Sequence, residues 1–77
     1  MKRIEAALNE VCERPNEAVP ADAPFRDIKG WDSMRAVSFQ LELESLFSVD
    51  LSEEAITGSF TLSDVAAILR SKGIVLD

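Results

Sequence analysis

The apolar residues from Ser33 to Phe47 follow the 3.6-residue period of a helix, and they fall on two sides of it. Advancing about 100° per residue places the larger group at roughly 120° to 220° from Met34. This group consists of Ala36, Phe39, Leu43, Leu46 and Phe47. A helix in a small bundle buries one face, so the wider and bulkier group is predicted to face the core. The pattern therefore predicts a helix over residues 33–47 within an all-helical fold.

A second, narrower apolar group on the same helix leaves two interpretations open. Met34, Val37 and Leu41 lie at roughly 300° to 0°, opposite the predicted core face. The preceding loop or a short following helix could cover them. Alternatively, they form an exposed apolar ridge, which is typical of a docking surface. Glu44 stands beside this ridge and gives it the polar rim of a helix that docks in a partner's groove.

A first helix and a long loop are predicted before this helix. Apolar residues at helical spacing predict a helix over residues 2–14, which Pro15 ends. Residues 16–30 hold the remaining prolines and are predicted to form a long loop. So long a loop is unusual in a small domain and is more often functional than not. Three apolar residues of this loop are expected to fill the core: Val19, Phe25 and Ile28.

Two more helices are predicted after the central one. A short helix over residues 52–58 would have Ser52 as its cap and acidic residues in its first turn. Thr61 and Asp64 form a variant of the capping box at the start of a last helix, which Gly73 closes. The predicted fold is all-α: a small antiparallel four-helix bundle of three main helices and one short helix.

Length, charge and composition exclude several classes of function. Seventy-seven residues predict a single domain over residues 1–77. A net charge of −6 without a cluster of Lys or Arg argues against nucleic-acid binding. The absence of histidine excludes a Ser-His hydrolase. No apolar run approaches the ~20 residues of a membrane span. A lone cysteine and an N-terminus without an apolar block favour the cytoplasm.

Asp32 and Ser33 stand where the central helix begins. Either side chain could cap the helix, and such caps are common. However, a helix N-terminus also carries partial positive charge and free amides, which favour a bound phosphate. Ser33 follows a Gly-Trp turn and stands next to the apolar ridge. This position suits a serine that carries a phosphodiester.

Several motifs, in this order and spacing, resemble the acyl carrier proteins. The segment GWDSM precedes the helix RAVSFQLELESLF, the linker SVDLSEEA and the segment TLSDVAAIL. That family has an Asp-Ser-Leu or Asp-Ser-Met triplet, a long helix ending in Leu-Glu-x-x-Phe, and a Thr-Val-x-Asp helix start. Residues 43–47 and 61–64 take the last two places here, and VPADAPFRDI is similar to the family's loop. The resemblance covers nearly the whole chain.

The resemblance implies a carrier protein rather than an enzyme, with 4′-phosphopantetheine from coenzyme A attached to Ser33. A phosphopantetheinyl transferase would attach this arm, and acyl intermediates would be held on its thiol as thioesters. The implied partners are acyl-loading, condensing or acyl-transfer enzymes of fatty-acid, lipid or polyketide-type biosynthesis. Asp32 would orient the serine or metal-bound coenzyme A during transfer. Met34, Val37 and Leu41 match the family's docking face.

The docking face has fewer acidic residues than the pattern of the family. Ordinary fatty-acid carriers have acids along the central helix where this chain has Arg35, Ser38 and Ser45. Negative charge near the ridge comes instead from Glu44, Glu53 and Glu54. We therefore expect a specialised carrier. The protein is separately expected to be a monomer. Two alternatives are left open. One is a peptidyl or aminoacyl carrier that uses the same serine, and the other is an unmodified helical adaptor that docks through the ridge.

Two further residues are expected to have a role in packing and not in function. Cys12 is expected in the core of the bundle. Trp31 is expected to anchor the corner between the loop and the helix, with contact to the arm or to a partner as the alternative. The acids at positions 50, 53 and 54 do not match the spacing of a calcium loop, so no metal site is predicted.

Overall fold

The computed structural model describes residues 2–14, 18–54 and 56–76, and these form three α-helices and one 3₁₀ turn. The helices are α1 (Lys2–Val11), α2 (Ser33–Phe47) and α3 (Leu62–Ser71), and the 3₁₀ turn is Phe25–Asp27. No strand occurs within these ranges. The prediction of a small all-helical bundle is confirmed, and α2 has the predicted bounds.

The core is filled by side chains from all three helices and from the connecting segments. Its buried apolar residues include Ile4, Leu8, Phe39, Leu43, Phe47, Leu51, Ile56, Leu62, Val65 and Leu69. The three loop residues predicted to fill the core, Val19, Phe25 and Ile28, are buried, as is Cys12. The Phe25 ring lies 5.3 Å from that of Phe39, edge to face. The long loop thus packs directly on α2.

Leu46 does not belong to the core as predicted. It is 37% exposed, whereas Phe39, Leu43 and Phe47 are buried. At about 100° per residue, Leu46 lies roughly 60° from the middle of that buried stripe, at its border. Its backbone carbonyl accepts a hydrogen bond from the Arg3 guanidinium at 3.2 Å. The buried face of α2 is therefore narrower than the sequence indicates.

All three helices end in the same hydrogen-bonded motif. A residue at the helix cap or directly after it is left-handed, with φ of 55° at Glu13, 54° at Ser48 and 86° at Gly73. The next amide then donates to a carbonyl five residues back, as in Arg14 N–H to Asn9 O at 2.9 Å. This is the Schellman arrangement. It ends α1 at Val11 rather than at residue 14, and Pro15 itself lies outside the described residues.

The predicted short helix over residues 52–58 is absent from the described part of this segment, which excludes Ala55. The Ser52 N–H donates to the Asp50 carboxylate at 2.8 Å, so Ser52 begins a turn instead of capping a helix. Leu51 and Ile56 are both buried. Five residues apart on a helix they would point about 140° away from each other. An irregular turn lets both reach the core, and it replaces the fourth helix of the predicted bundle.

The predicted capping box at the start of α3 is confirmed. The Thr61 hydroxyl accepts the Asp64 N–H at 3.2 Å, and the Asp64 carboxylate accepts the Thr61 N–H at 3.0 Å. Each side chain thus satisfies an amide that the helix leaves without a partner.

The long loop and the segment before α3 are joined by backbone hydrogen bonds. The Phe25 N–H donates to Phe60 O, and the Arg26 N–H donates to Gly58 O, both at 2.9 Å. A Cβ on Gly58 would lie 2.9 Å from the Arg26 Cβ and 3.2 Å from Trp31 Nε1. Glycine is therefore needed for this close approach. The contact brings the segment before α3 beside the start of α2.

Candidate functional site

Ser33 is the first residue of α2, and its side chain is exposed. The helix is capped by its neighbour, because the Asp32 carboxylate accepts the Arg35 N–H at 2.8 Å. The Ser33 hydroxyl makes no hydrogen bond to any residue that the structure describes. The two side chains thus have different roles. Asp32 stabilises the start of the helix, and Ser33 keeps a free hydroxyl at the helix N-terminus.

Two substitutions of Asp32 separate its capping role from its charge. We expect Asp32→Ala to lower the free energy of unfolding by about 1 kcal/mol, because one amide loses its acceptor. Asparagine caps helices about as well as aspartate, so Asp32→Asn should lose less than half as much. Urea denaturation of the two variants and the wild type measures the difference. An equal loss in both variants would show that the charge, and not the cap, is what stabilises α2.

An open groove of about 360 Å³ lies beside Ser33. Its lining includes Trp31, Ala36, Val37, Ile56 and Gly58, so its walls are mostly apolar. Trp31 faces the groove and also contacts the ring of Phe25, with the centroids 5.0 Å apart and the rings tilted by 34°. It therefore packs on the core at the corner and also forms a wall next to the serine.

The apolar ridge of α2 is exposed. Met34 is 78% exposed, Val37 60% and Leu41 59%. The interpretation that a loop or a short helix covers these side chains is therefore wrong. Val37 also lines the groove beside Ser33. The ridge thus begins at the serine end of α2 and continues along its outer face.

Two of the three acids predicted beside the ridge have partners within the fold. The Glu44 carboxylate accepts the Leu51 N–H at 2.7 Å, and one turn earlier Gln40 Nε2 donates to Leu51 O at 2.9 Å. Both backbone groups of the buried Leu51 are thereby satisfied. Glu54 lies 3.9 Å from the Lys72 ammonium, whereas Glu53 is exposed. Glu53 is thus the acid whose charge is most open to a partner.

Asp50 adds a further negative charge next to these acids. Hydrogen bonds from Ser52 hold the pKa of the Asp50 carboxyl below its ordinary value, because they stabilise the ionised form. Asp50 therefore keeps its negative charge at lower pH than an ordinary aspartate does.

Arg35 stands where an acid is expected, but its charge is turned away from the ridge. Its Nη1 donates to the Val11 carbonyl, and its Nη2 lies 3.2 Å from the Glu13 carboxylate. This role of Arg35 was not predicted from the sequence. A pointer was nevertheless present, because the helical partner of the Val11 carbonyl would be the amide of Pro15, and proline has no N–H. Arg35 supplies the missing donor.

Cys12 lies near this contact and is buried, as predicted. Burial raises the pKa of its thiol, although the nearby Arg35 and Arg14 partly oppose the shift. The thiolate is the reactive form of cysteine, so Cys12 is protected from thiol chemistry.

Two further properties of the described ranges bear on the class of site. The described residues contain no group of three or more His, Cys, Asp or Glu side chains that could hold a metal ion. None of their helices is both long and apolar enough to cross a membrane.

Comparison with known families adds one finding to this geometry. Residues 2–69 match the family model described as a phosphopantetheine attachment site. The match covers α1, α2, most of α3 and all the residues that line the groove. No curated protein and no solved structure matches the chain.

Proposed function

The chain belongs to the phosphopantetheine-binding family of carrier proteins, and from this premise we propose that Ser33 is the residue that carries the group. The cofactor of the family is covalent 4′-phosphopantetheine. The observation that carries the proposal is the free, exposed hydroxyl of Ser33 at the start of α2, beside an apolar groove. Because Asp32 caps the helix, Ser33 can be modified without loss of the cap.

The surroundings of Ser33 fit an attached phosphodiester. The first amides of α2 and the positive end of its dipole favour a negative group at this position. The open groove of about 360 Å³ leaves room beside the serine for the rest of the arm. Asp32 uses one carboxylate oxygen, Oδ1, as the helix cap. We propose that its charge also orients Ser33, or metal-bound coenzyme A, during attachment.

Attachment makes Ser33 the nucleophile of a phosphoryl-group transfer. Its Oγ forms a bond to the phosphorus on the pantetheine side of the coenzyme A diphosphate. The bond from that phosphorus to the bridging oxygen breaks, and adenosine bisphosphate leaves. The proton of the serine hydroxyl passes to a base that the transferase supplies, since this chain has no histidine and Asp32 is engaged as the cap.

The attached arm supplies a terminal thiol that holds an acyl group as a thioester. The chain itself acts as a non-catalytic carrier that presents Ser33 to partner enzymes. Met34, Val37 and Leu41 form the proposed docking surface, because they are exposed and begin next to Ser33. Carrier domains of this family interact with phosphopantetheinyl transferases and with biosynthetic enzymes.

The finer assignments remain part of the proposal. We propose acyl cargo from fatty-acid, lipid or polyketide-type biosynthesis, while a peptidyl or aminoacyl cargo would use the same serine. A single domain over residues 1–77, the monomeric state and the cytoplasmic location stay predictions.

The test is the intact mass of the purified protein after incubation with coenzyme A and a promiscuous phosphopantetheinyl transferase. We expect the mass to increase by one phosphopantetheinyl group per chain. Incubation without the transferase is the control. A protein that keeps its original mass would instead support the unmodified helical adaptor.

Partner affinity should depend more on the ridge than on Glu44. Leu41→Ala removes an exposed apolar contact, whereas Glu44 is directed at the Leu51 amide. We expect Leu41→Ala to weaken binding to the cognate enzyme by about tenfold, and Glu44→Gln by less than threefold. Titration calorimetry at low and at physiological salt measures both effects.

Glu53→Gln is the matched control for charge, because Glu53 is exposed. It should mainly slow association at low salt, since exposed charges are screened over ~10 Å at 0.1 M. A greater loss with Glu44→Gln than with Leu41→Ala at both salt concentrations would indicate an ordinary acidic-helix carrier. The proposed specialised carrier is instead expected to bind enzymes of housekeeping fatty-acid synthesis poorly.

A further inference from the structure

The side chain of Arg35 connects the end of α1 to the start of α2, where Arg35 lies two residues after Ser33. We propose that Arg35 is a positioning residue that holds Ser33 in the orientation required for modification, by fixing the first turn of α2 against α1. The inference rests on the proposed function, in which Ser33 is the attachment site. It gives Arg35 a role inside the fold rather than on the docking surface.

Arg35 is bonded on both sides of this junction. Its guanidinium donates to the Val11 carbonyl and pairs with Glu13 at 3.2 Å. Its backbone N–H is the group that the Asp32 carboxylate accepts, at 2.8 Å. The guanidinium thus contacts the last turn of α1, and the backbone of the same residue takes part in the cap of α2.

The bond to the Val11 carbonyl is the stronger part of this link. Glu13 has a side chain that is 77% exposed, and ion pairs of this kind contribute little. The Val11 carbonyl has no helical donor, because it belongs to the last turn of α1, and a proline at position 15 has no N–H to offer. A cation at this position also interacts favourably with the negative end of the α1 dipole. The forked guanidinium reaches both acceptors at once, which the single ammonium of lysine does less well.

The turn before Asp32 packs against the same end of α1. A Cβ on Gly30 would lie 2.7 Å from the Cys12 carbonyl oxygen, so the two backbones are in close contact. Ser33 follows this turn directly. A shift of α1 relative to α2 would therefore move the turn, the cap and Ser33 together.

Misplacement of a nucleophile has a large effect on rate. A displacement of about 1 Å can slow a positioned reaction by ~10²-fold. A residue that only orients Ser33 should change kcat for modification at saturating carrier, whereas a residue that contacts the transferase should change KM. This difference allows the inference to be tested.

The experiment compares Arg35→Gln, Arg35→Lys and Arg70→Gln as carrier substrates of the transferase. Arg70 is exposed at the end of α3, so its variant removes one positive charge far from Ser33. We expect Arg35→Gln to lower kcat by about tenfold with KM changed by less than about twofold. Arg35→Lys should recover part of the loss, and Arg70→Gln should behave as the wild type. A higher KM with unchanged kcat for Arg35→Gln would overturn the inference.

Amide hydrogen exchange tests the link without the transferase. Arg35→Gln should speed exchange at residues 34–36 and at residues 12–14 together, because the junction opens locally more often. The double variant Glu13→Gln with Arg35→Gln should be modified no more slowly than Arg35→Gln alone. Unchanged exchange would overturn the inference, and so would a double variant that is modified more slowly than Arg35→Gln alone. A wild-type protein that takes no phosphopantetheine would instead refute the proposed function itself.

Discussion

Replacing Ser33 by alanine is expected to abolish the attachment of phosphopantetheine while leaving the fold intact. The substitution removes the nucleophilic oxygen, so no phosphodiester can form. Its effect on the free energy of unfolding should stay within about 0.5 kcal/mol, because Ser33 is exposed and Asp32 supplies the cap. Intact mass after transferase treatment and urea denaturation measure the two quantities.

Other serines of the same helix provide the matched controls. Ser38 and Ser45 are exposed on α2 as Ser33 is, but both lie in its interior rather than at its start. Ser38→Ala and Ser45→Ala should gain one phosphopantetheinyl group like the wild type. A Ser33→Ala protein that still gained this mass would show that another residue carries the arm.

A second large effect is expected from truncation of the core of α2. Leu43 is fully buried, so Leu43→Ala should lower the free energy of unfolding by about 2–5 kcal/mol. Leu41 is 59% exposed only two residues earlier, and the identical substitution there leaves no enclosed cavity. We expect it to cost less than about 1 kcal/mol. Chemical denaturation of both variants gives the comparison.

Phe47→Ala and Val37→Ala form a second pair that compares a buried side chain of α2 with an exposed one. Phe47 is buried, and Val37 is 60% exposed. A domain of this size has a total stability on the order of 4–12 kcal/mol, so a core truncation removes a large share of it. Similar losses on the two faces would mean that the ridge is buried in solution. Such a result would contradict its assignment as a docking surface.

The parts of the fold that depend on local chemistry could be predicted from the sequence. The start of α2 follows from an Asp cap before a regular apolar period, and the start of α3 follows from the Thr61–Asp64 capping box. Both signals act within four residues of the chain. The closing glycine of α3, Gly73, was predicted for the same reason.

The other helix ends and the segment after α2 depend on contacts that the sequence does not display. Glu13 and Ser48 adopt the left-handed conformation that glycine usually takes, so no residue type marks these ends. Leu51 and Ile56 must both reach the core, and this requirement excludes the helix that Ser52 and Gly58 suggest. Tertiary packing outweighs local preference in these places.

In the candidate site, too, local features could be predicted from the sequence and long-range contacts could not. Asp32, Ser33 and the ridge were identified from adjacent residues and from helical periodicity. The partners of Arg35 and Glu44 could not be identified in this way. Only the fold brings residue 35 to residue 11, and residue 44 to residue 51. A charge that appears available in the sequence can be engaged by the backbone in the structure.

The position of Trp31 also determines what its fluorescence reports. The chain has one tryptophan and no tyrosine, so its emission on selective excitation comes from a single indole. This indole contacts the core through Phe25 and faces the groove beside Ser33. Fluorescence therefore follows melting at one end of the bundle, whereas circular dichroism averages over all helices. If the two signals change at the same urea concentration, the small bundle unfolds as one cooperative unit.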